Sequence, residues 1–205
     1  MNDFSIGMAI VDYIPVILFG YGSAVLQRDL YQKMTKASFA LFAAGTINVF
    51  AAGFLKATWK LLYAAGICDF AALNAMFFPV QSIGFLLAGL GILVMLCKRK
   101  KALCAVAPPV FSGTFLFVAL MVAGLACIDG GLCYIAHNLK KRSAIVFFAV
   151  SFFCSLCMGY LSSRDFTQAF MNWLAQGINI CGQGAFLCGA LALDKAGLAE
   201  EEWAS

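Results

Sequence analysis

Charged residues are scarce in this chain. They make up 12% of its 205 residues, against roughly 25% in soluble domains, whereas hydrophobic residues make up 63%. A soluble core cannot bury that much apolar surface, so the composition excludes an ordinary soluble protein. Histidine occurs once and proline four times, which leaves few general bases and few helix breakers. The sequence therefore predicts an all-α integral membrane protein.

Recognisable catalytic and cofactor motifs are also missing. The chain has no His-Glu-x-x-His, no Gly-x-Ser-x-Gly, no P-loop and no dinucleotide-binding glycine turn. His137 has no carboxylate within a helical turn and precedes the basic cluster Lys140–Arg142, so a solvated helix end is its better interpretation. We expect neither an enzyme nor a bound cofactor.

Nine cysteines are present, and they are spread through apolar segments. That distribution is typical of small buried hydrophobic residues and not of a disulfide framework. The pair Cys154 and Cys157 forms a Cys-x-x-Cys motif, but no second pair follows at zinc-ligand spacing. We therefore expect no metal site and no redox site.

The basic residues are grouped at the ends of apolar runs, as in Lys98–Lys101 and Lys140–Arg142. In those places an ammonium or guanidinium group reaches water or lipid phosphate. The net charge of +4 is therefore interpreted as membrane-surface charge. Because the clusters are short and lack interleaved aromatic residues, no nucleic-acid partner is expected.

The hydropathy pattern predicts about six transmembrane helices, within the apolar runs Ile6–Leu26, Ala37–Leu55, Leu61–Cys97, Ala102–Leu139, Ser143–Leu161 and Asn172–Leu193. A span needs about 20 residues, and a run beyond about 25 exceeds the hydrocarbon core. The third and fourth runs must therefore contain more than one simple span.

The two long runs have internal features that suggest how they are divided. In the third run, Pro79 separates a clean span from Leu61–Phe77, which could be an interfacial helix, a re-entrant hairpin or an extension above the membrane. In the fourth run, we expect Pro108-Pro109 in the first helical turn and Asp129-Gly130-Gly131 at the far end.

The two halves of the chain resemble each other. Lys36–Leu55 matches Arg142–Leu161, and Gln81 matches Gln176 on the helices that follow. Chance similarity between apolar helices is the alternative explanation. The sequence thus predicts one membrane domain, with a first three-helix repeat in 1–101 and a second in 102–205 that ends in a short acidic tail. Because three is odd, directly joined units would form a 3+3 inverted-topology repeat.

A polar stripe runs along the predicted last helix. Its members are Asn172, Gln176, Asn179 and Gln183, whose spacing of four, three and four places them on one face. An unpartnered amide in hydrocarbon costs on the order of several kcal/mol, so this face must meet protein or water. Gln81, preceded by Asn74 on its own helix, offers a partner. The stripe either joins helices or lines a solute path.

Asp12, Asp69 and Asp129 are flanked by apolar sequence on both sides. A carboxylate at the bilayer centre costs roughly 2.5–3.5 kcal/mol on insertion scales, so each is a candidate for coupling to a proton or cation. The alternative is a solvated helix end. Asp12 is the first candidate because a kink at Pro15 would turn it into a cavity.

The leading hypothesis is a small transporter or channel of the plasma membrane, with a path for a small polar solute or ion between the third and sixth helices. An amide-lined path favours neutral or weakly charged solutes, because it holds no fixed counter-charge. The alternative is a non-transporting subunit, sensor or scaffold. Lipid is the expected surrounding, and the small extramembrane mass suggests a homo-oligomer or a partner subunit.

Overall fold

The computed structural model of the chain describes residues 5–97, 114–161 and 169–200, and within them it contains helices and no strand. The helices are α1 (Ile6–Val11), α2 (Tyr13–Leu30), α3 (Lys36–Ala64), α4 (Ala71–Cys97), α5 (Thr114–Asn138), α6 (Arg142–Leu161) and α7 (Ala169–Asp194). The all-α prediction is confirmed for these parts of the chain.

Several of these helices are long and apolar enough to cross a membrane: Ile6–Leu30, Lys36–Ala64, Ala71–Cys97, Leu116–Asn138 and Arg142–Leu161. The last helix, α7, is also long enough at 26 residues, but with its amides it does not belong to this apolar group. Large apolar side chains such as Ile17 and Phe153 are exposed on the outside of the bundle. These features are consistent with a membrane protein.

The segment Leu61–Phe77 is divided between two helices. Its first residues complete α3, and α4 begins at Ala71. Between them the chain turns at Gly66, whose φ of +68° is accessible to glycine without strain. The segment therefore consists of the end of α3, the turn and the start of α4, and its position relative to the membrane stays a prediction. Pro79 lies inside α4 and does not end it.

The expected end of the fourth span at Asp129-Gly130-Gly131 is wrong. Helix α5 continues to Asn138, and Asp129 is a buried residue in its interior. Gly131 serves helix packing instead, because a Cβ there would lie 2.3 Å from Cγ2 of Ile92 on α4. The expected position of Pro108-Pro109 lies outside the described residues.

The six long helices form a ring around the bundle axis. Each packs against its neighbours along the chain, and α7 closes the ring against α2, while the short α1 packs on α3 and α2. At one end of the bundle the interior is filled by fully buried apolar side chains: Leu26, Leu30, Phe42, Ile92, Leu132 and Leu193. This end, where α2 and α7 finish, is called the packed end below.

Helices α4 and α5 run in the same direction. Gly124 of α5 lies against Phe85 of α4, and Gly131, further along α5, lies against Ile92, further along α4. With a rise of about 1.5 Å per residue, the end of α4 and the start of α5 are therefore about 33 Å apart along the bundle. The expected boundary between the two units, at residues 101 and 102, lies outside the described residues.

Helices α2 and α7, which close the ring, also run in the same direction. Gly22 of α2 packs against Phe186 of α7, and Arg28, further along α2, bonds Asp194, further along α7. The first three long helices and the last three therefore share one up-down-up sense. The inverted arrangement assumed that α4 ends where α5 begins, and the contacts between these helices contradict that assumption.

Candidate functional site

A cavity of about 490 Å³ lies between the helices of the ring. Small-molecule sites commonly have volumes of about 300–1,000 Å³. All six residues that the sequence predicts along a solute path are on its wall: Asn74, Gln81, Asn172, Gln176, Asn179 and Gln183. The structure thus brings the amides of α4 and α7 around one space, and their role in carrying a solute stays a prediction.

The cavity occupies the half of the bundle opposite the packed end. Its rim includes Asn74, which is exposed near the start of α4, and Lys60 near the end of α3. Its deepest wall is formed by aromatic rings such as those of Phe19 and Phe85, which pack edge to face with centroids 6.0 Å apart. The cavity is therefore open towards one end and closed by packed side chains towards the other.

The amide stripe follows from the helical period of α7. Its spacing of four, three and four keeps the four side chains on the face that meets the cavity. Asn172 and Gln176 are each only 7% exposed, and Oε1 of Gln176 has no hydrogen-bond partner among the described residues. A buried polar atom without a partner costs about 1–3 kcal/mol, so this wall is suited to water or a hydrogen-bonding solute.

Sequence reasoning missed two lysines of the cavity wall, Lys56 and Lys60. The apolar run was expected to end at Leu55, so Lys56 would mark a helix end. Helix α3 instead continues to Ala64, and the spacing of four places both ammonium groups on one face. That spacing is the signal that could have found them, had the helix been extended past the first lysine.

Lys60 is paired with Asp12. Its Nζ lies 2.6 Å from Oδ2 of Asp12, and the two side chains are only 14% and 11% exposed. Asp12 lies at the break between α1 and α2, where Pro15 lacks the N–H that would bond the carbonyl of Val11. The structure therefore places Asp12 on the cavity wall beside a break, as expected, and its coupling role stays a prediction.

Lys56 has a different partner. Its Nζ lies 3.8 Å from the centroid of the Phe77 ring on α4, which is a cation–π geometry. Among the described residues it forms no ion pair. The cavity wall therefore contains one ammonium group whose charge is balanced by a carboxylate and another whose charge is only partly stabilised by an aromatic face.

The other two candidate aspartates do not reach the cavity. Asp69 is exposed between α3 and α4, where its Oδ1 accepts a hydrogen bond from Nε1 of Trp59 at 3.0 Å. Asp129 is buried between α5 and α6, within hydrogen-bonding reach of the Ser151 hydroxyl. Of the three, the structure brings only Asp12 to the predicted path.

Metal ligands were sought in the same regions. Within the described ranges, no group of three or more His, Cys, Asp or Glu side chains is arranged to hold a metal ion. Cys154 lies on the cavity wall, whereas Cys157 does not. The two thiols of the Cys-x-x-Cys motif therefore do not face the cavity together.

Fold and site together are those of an all-helical chain, consistent with a polytopic membrane protein, that contains a polar cavity with two lysines. Comparisons of the chain with protein families, with curated proteins and with solved structures find no match.

Proposed function

We propose that this protein is a small membrane transporter or channel that passes a small polar solute through the cavity between α4 and α7. The observation that carries the proposal is the convergence of six amide side chains on one space of about 490 Å³. Helix-joining amides satisfy one another across a dry contact, whereas Oε1 of Gln176 has no protein partner among the described residues. A hydrated wall suits a path better than an interface.

We also infer a duplicated three-helix unit in which both copies have the same orientation. Gly91 of α4 lies against the backbone and Cβ of Phe42 on α3, and Gly189 of α7 lies against the ring of Phe148 on α6, so in each unit a glycine of the third helix contacts a phenylalanine of the second. Phe42 and Phe148 are both fully buried. Such parallel repeats, related by an axis along the membrane normal, occur in known transporter folds.

A second pair of contacts supports the same repeat. Gln27 of α2 donates a hydrogen bond from Nε2 to Oγ1 of Thr46 on α3 at 2.7 Å. Asp129 of α5 lies near Ser151 on α6. Each contact joins the first and second helices of its unit, at the depth of the packed half of the bundle. The contacts between the units, of α4 with α5 and of α7 with α2, are then where the two related halves can move against each other.

The distribution of basic residues supports an orientation. The packed end of the bundle carries Arg28, Lys33, Lys36, Lys140, Lys141, Arg142 and Lys195. The described connection at the open end, residues 65–70, carries no lysine or arginine. Because cytoplasmic loops are enriched in these residues, we place the packed end in the cytoplasm of a cell whose plasma membrane contains the protein. The cavity then opens to the outside.

Asp12 is the proposed coupling residue, because it is the one candidate aspartate on the wall. Binding of a proton to its carboxylate would break the ion pair with Lys60. The net charge of the cavity wall would then depend on the protonation of Asp12. Asp129 is the second candidate, since it is buried on α5 one helical turn beyond Leu125, which lines the cavity.

Thiol labelling of the stripe tests the proposed path. Cysteine is placed singly at positions 176, 179 and 183 in a background without native thiols, and each variant is treated with a water-soluble maleimide added to the open side. We expect all three to be labelled, because these positions line the cavity. The control is Leu174→Cys, since Leu174 is exposed on another face of α7 and should react only with a lipid-soluble reagent.

The opposite result would support the scaffold alternative. If positions 176, 179 and 183 are protected from water-soluble reagents while the variants remain folded, the interior is dry and the stripe joins helices. The amides would then serve assembly within one chain or between copies, and the search would turn to a partner subunit.

A further inference from the structure

We propose that the solute of this cavity is a small organic monoanion, such as a carboxylate, and that Lys56 is the residue that binds its charge. This inference deepens the proposed function and rests on it, since it needs the cavity to be a solute path. It changes the expectation from the sequence, which favoured neutral or weakly charged solutes because only amides were assigned to the wall.

The described side chains of the cavity wall carry a net positive charge. Among the described residues that line the cavity, the charged side chains are Asp12, Lys56 and Lys60. Asp12 and Lys60 compensate each other at 2.6 Å. One positive charge is left over among these residues, and a partly buried charge is costly unless it is compensated. A bound monoanion would balance it.

Lys56 is held on the cavity wall by an aromatic ring. Its Nζ lies over the Phe77 ring, which stabilises a cation without neutralising it and leaves the three N–H donors available to an anion. Gln81 follows Phe77 by one helical turn on α4, so it lies next to the anion on the same face. The ammonium group would bind the charged end of a solute, and the amides of Gln81 and Gln176 would bind its polar body.

The chemistry of the wall limits the class of anion. A dianion would leave one negative charge in excess, because Lys56 is the one lysine without a carboxylate partner among the described wall residues. A zwitterion would need an anionic partner for its own ammonium group, and Asp12 is already paired with Lys60. A small molecule with one negative charge and several hydrogen-bonding groups fits both limits.

Charged thiol reagents of similar size test the sign of the electrostatic potential in the cavity, and they do so without knowledge of the solute. Gln183→Cys is prepared in the thiol-free background and treated with an anionic sulfonatoethyl or a cationic trimethylammonioethyl methanethiosulfonate. Each rate is divided by the rate of the same reagent with a simple thiol in solution. We expect the anionic reagent to be favoured by about tenfold in this corrected ratio, because a unit charge acts strongly over a few ångströms at low dielectric.

Substitutions of the charged residues should move this ratio in opposite directions. Lys56→Gln is expected to abolish the anionic preference, whereas Lys56→Arg keeps it because the charge is retained. Asp12→Asn should increase the preference, because it removes a negative charge from the cavity wall. Phe77→Leu should retain it, although the ring contact is lost. Lys36→Gln is the matched control, since Lys36 is exposed at the packed end.

Two results would overturn the inference while the proposed function stands: a corrected ratio near one, or a ratio that Lys56→Gln leaves unchanged. If Phe77→Leu and Lys56→Gln lose the anionic preference to the same extent, Lys56 serves only to hold α3 against α4. A different result would remove the proposed function itself. If a neutral hydroxyethyl reagent and both charged reagents fail to modify Gln183→Cys in folded protein, the cavity is not a hydrated path.

Discussion

At the scale of single residues, Asp129 is a costly side chain for an apolar bundle. It is 3% exposed, it lies in the middle of a helix apolar enough to span a membrane, and its Oδ1 has no hydrogen-bond partner among the described residues. The nearby Ser151 hydroxyl can serve only one of its oxygens. Residues that are kept at such a cost usually serve activity more than stability.

We therefore predict that Asp129→Asn raises the stability of the folded protein by about 1 kcal/mol, because it removes a carboxylate from an apolar site and keeps a polar group of the same shape beside Ser151. The measurement is the midpoint of thermal unfolding in detergent. Asp129→Glu is the control, since it keeps the carboxylate and adds a methylene to a packed site, and it should lower the midpoint. A lower midpoint for Asp129→Asn would show that the carboxylate stabilises the fold.

At the scale of helices, close backbone contact holds α3 against α4. A Cβ built on Gly45 would lie 2.3 Å from the backbone nitrogen of Ala88 and 2.5 Å from the carbonyl oxygen of Gly84. Since these atoms belong to the backbone, they cannot move aside without separating the helices. In a membrane, where apolar surface gains little from leaving lipid, such contacts supply much of the packing energy.

Gly45→Ala should consequently lower the stability of the protein by about 1–3 kcal/mol or more, the range found for overpacked interiors. The comparison is Gly184→Ala on α7, because a Cβ there meets nothing within 4 Å and alanine favours the helix by up to about 1 kcal/mol. Both variants are measured by thermal unfolding in the same detergent. Equal midpoints would mean that the contact between α3 and α4 is not tight in solution.

The elements were easier to predict from the sequence than their ends. Long apolar runs and the spacing of four, three and four on α7 were sufficient to predict the helices and the shared face of the stripe. Lys56 was missed because a hydropathy pattern stops at a charge, whereas the helix continues when that charge faces a cavity. Asp129-Gly130-Gly131 was misplaced for a related reason, since glycines end helices in water and pack helices in membranes.

At the scale of the whole molecule, the sequence could suggest a repeat but not the relative orientation of its two copies. The resemblance between Lys36–Leu55 and Arg142–Leu161 does not depend on orientation, and an odd number of helices per unit implied inversion only if the units were joined at one end. The excess length of the run Ala102–Leu139 is the sequence feature that conflicts with a direct joint. Contacts between distant elements, such as Gly124 against Phe85, decide the question because no local pattern encodes them.

The directions of the helices give a prediction about loops. Because α2 to α4 and α5 to α7 both run up, down and up, the turn after α2 and the turn after α5 lie at the same end of the bundle, and the connection between α3 and α4 lies at the other. Single cysteines at Gln32 and Lys140, and the native Cys68, are exposed positions in these three connections. We expect a membrane-impermeant maleimide added to intact cells to label Cys68 alone, and the other two positions only after permeabilisation. If positions 32 and 140 are labelled from opposite sides of the membrane, the inverted arrangement is correct. If both are labelled from outside and Cys68 is protected, the helices keep the directions described here but the protein has the opposite orientation in the membrane.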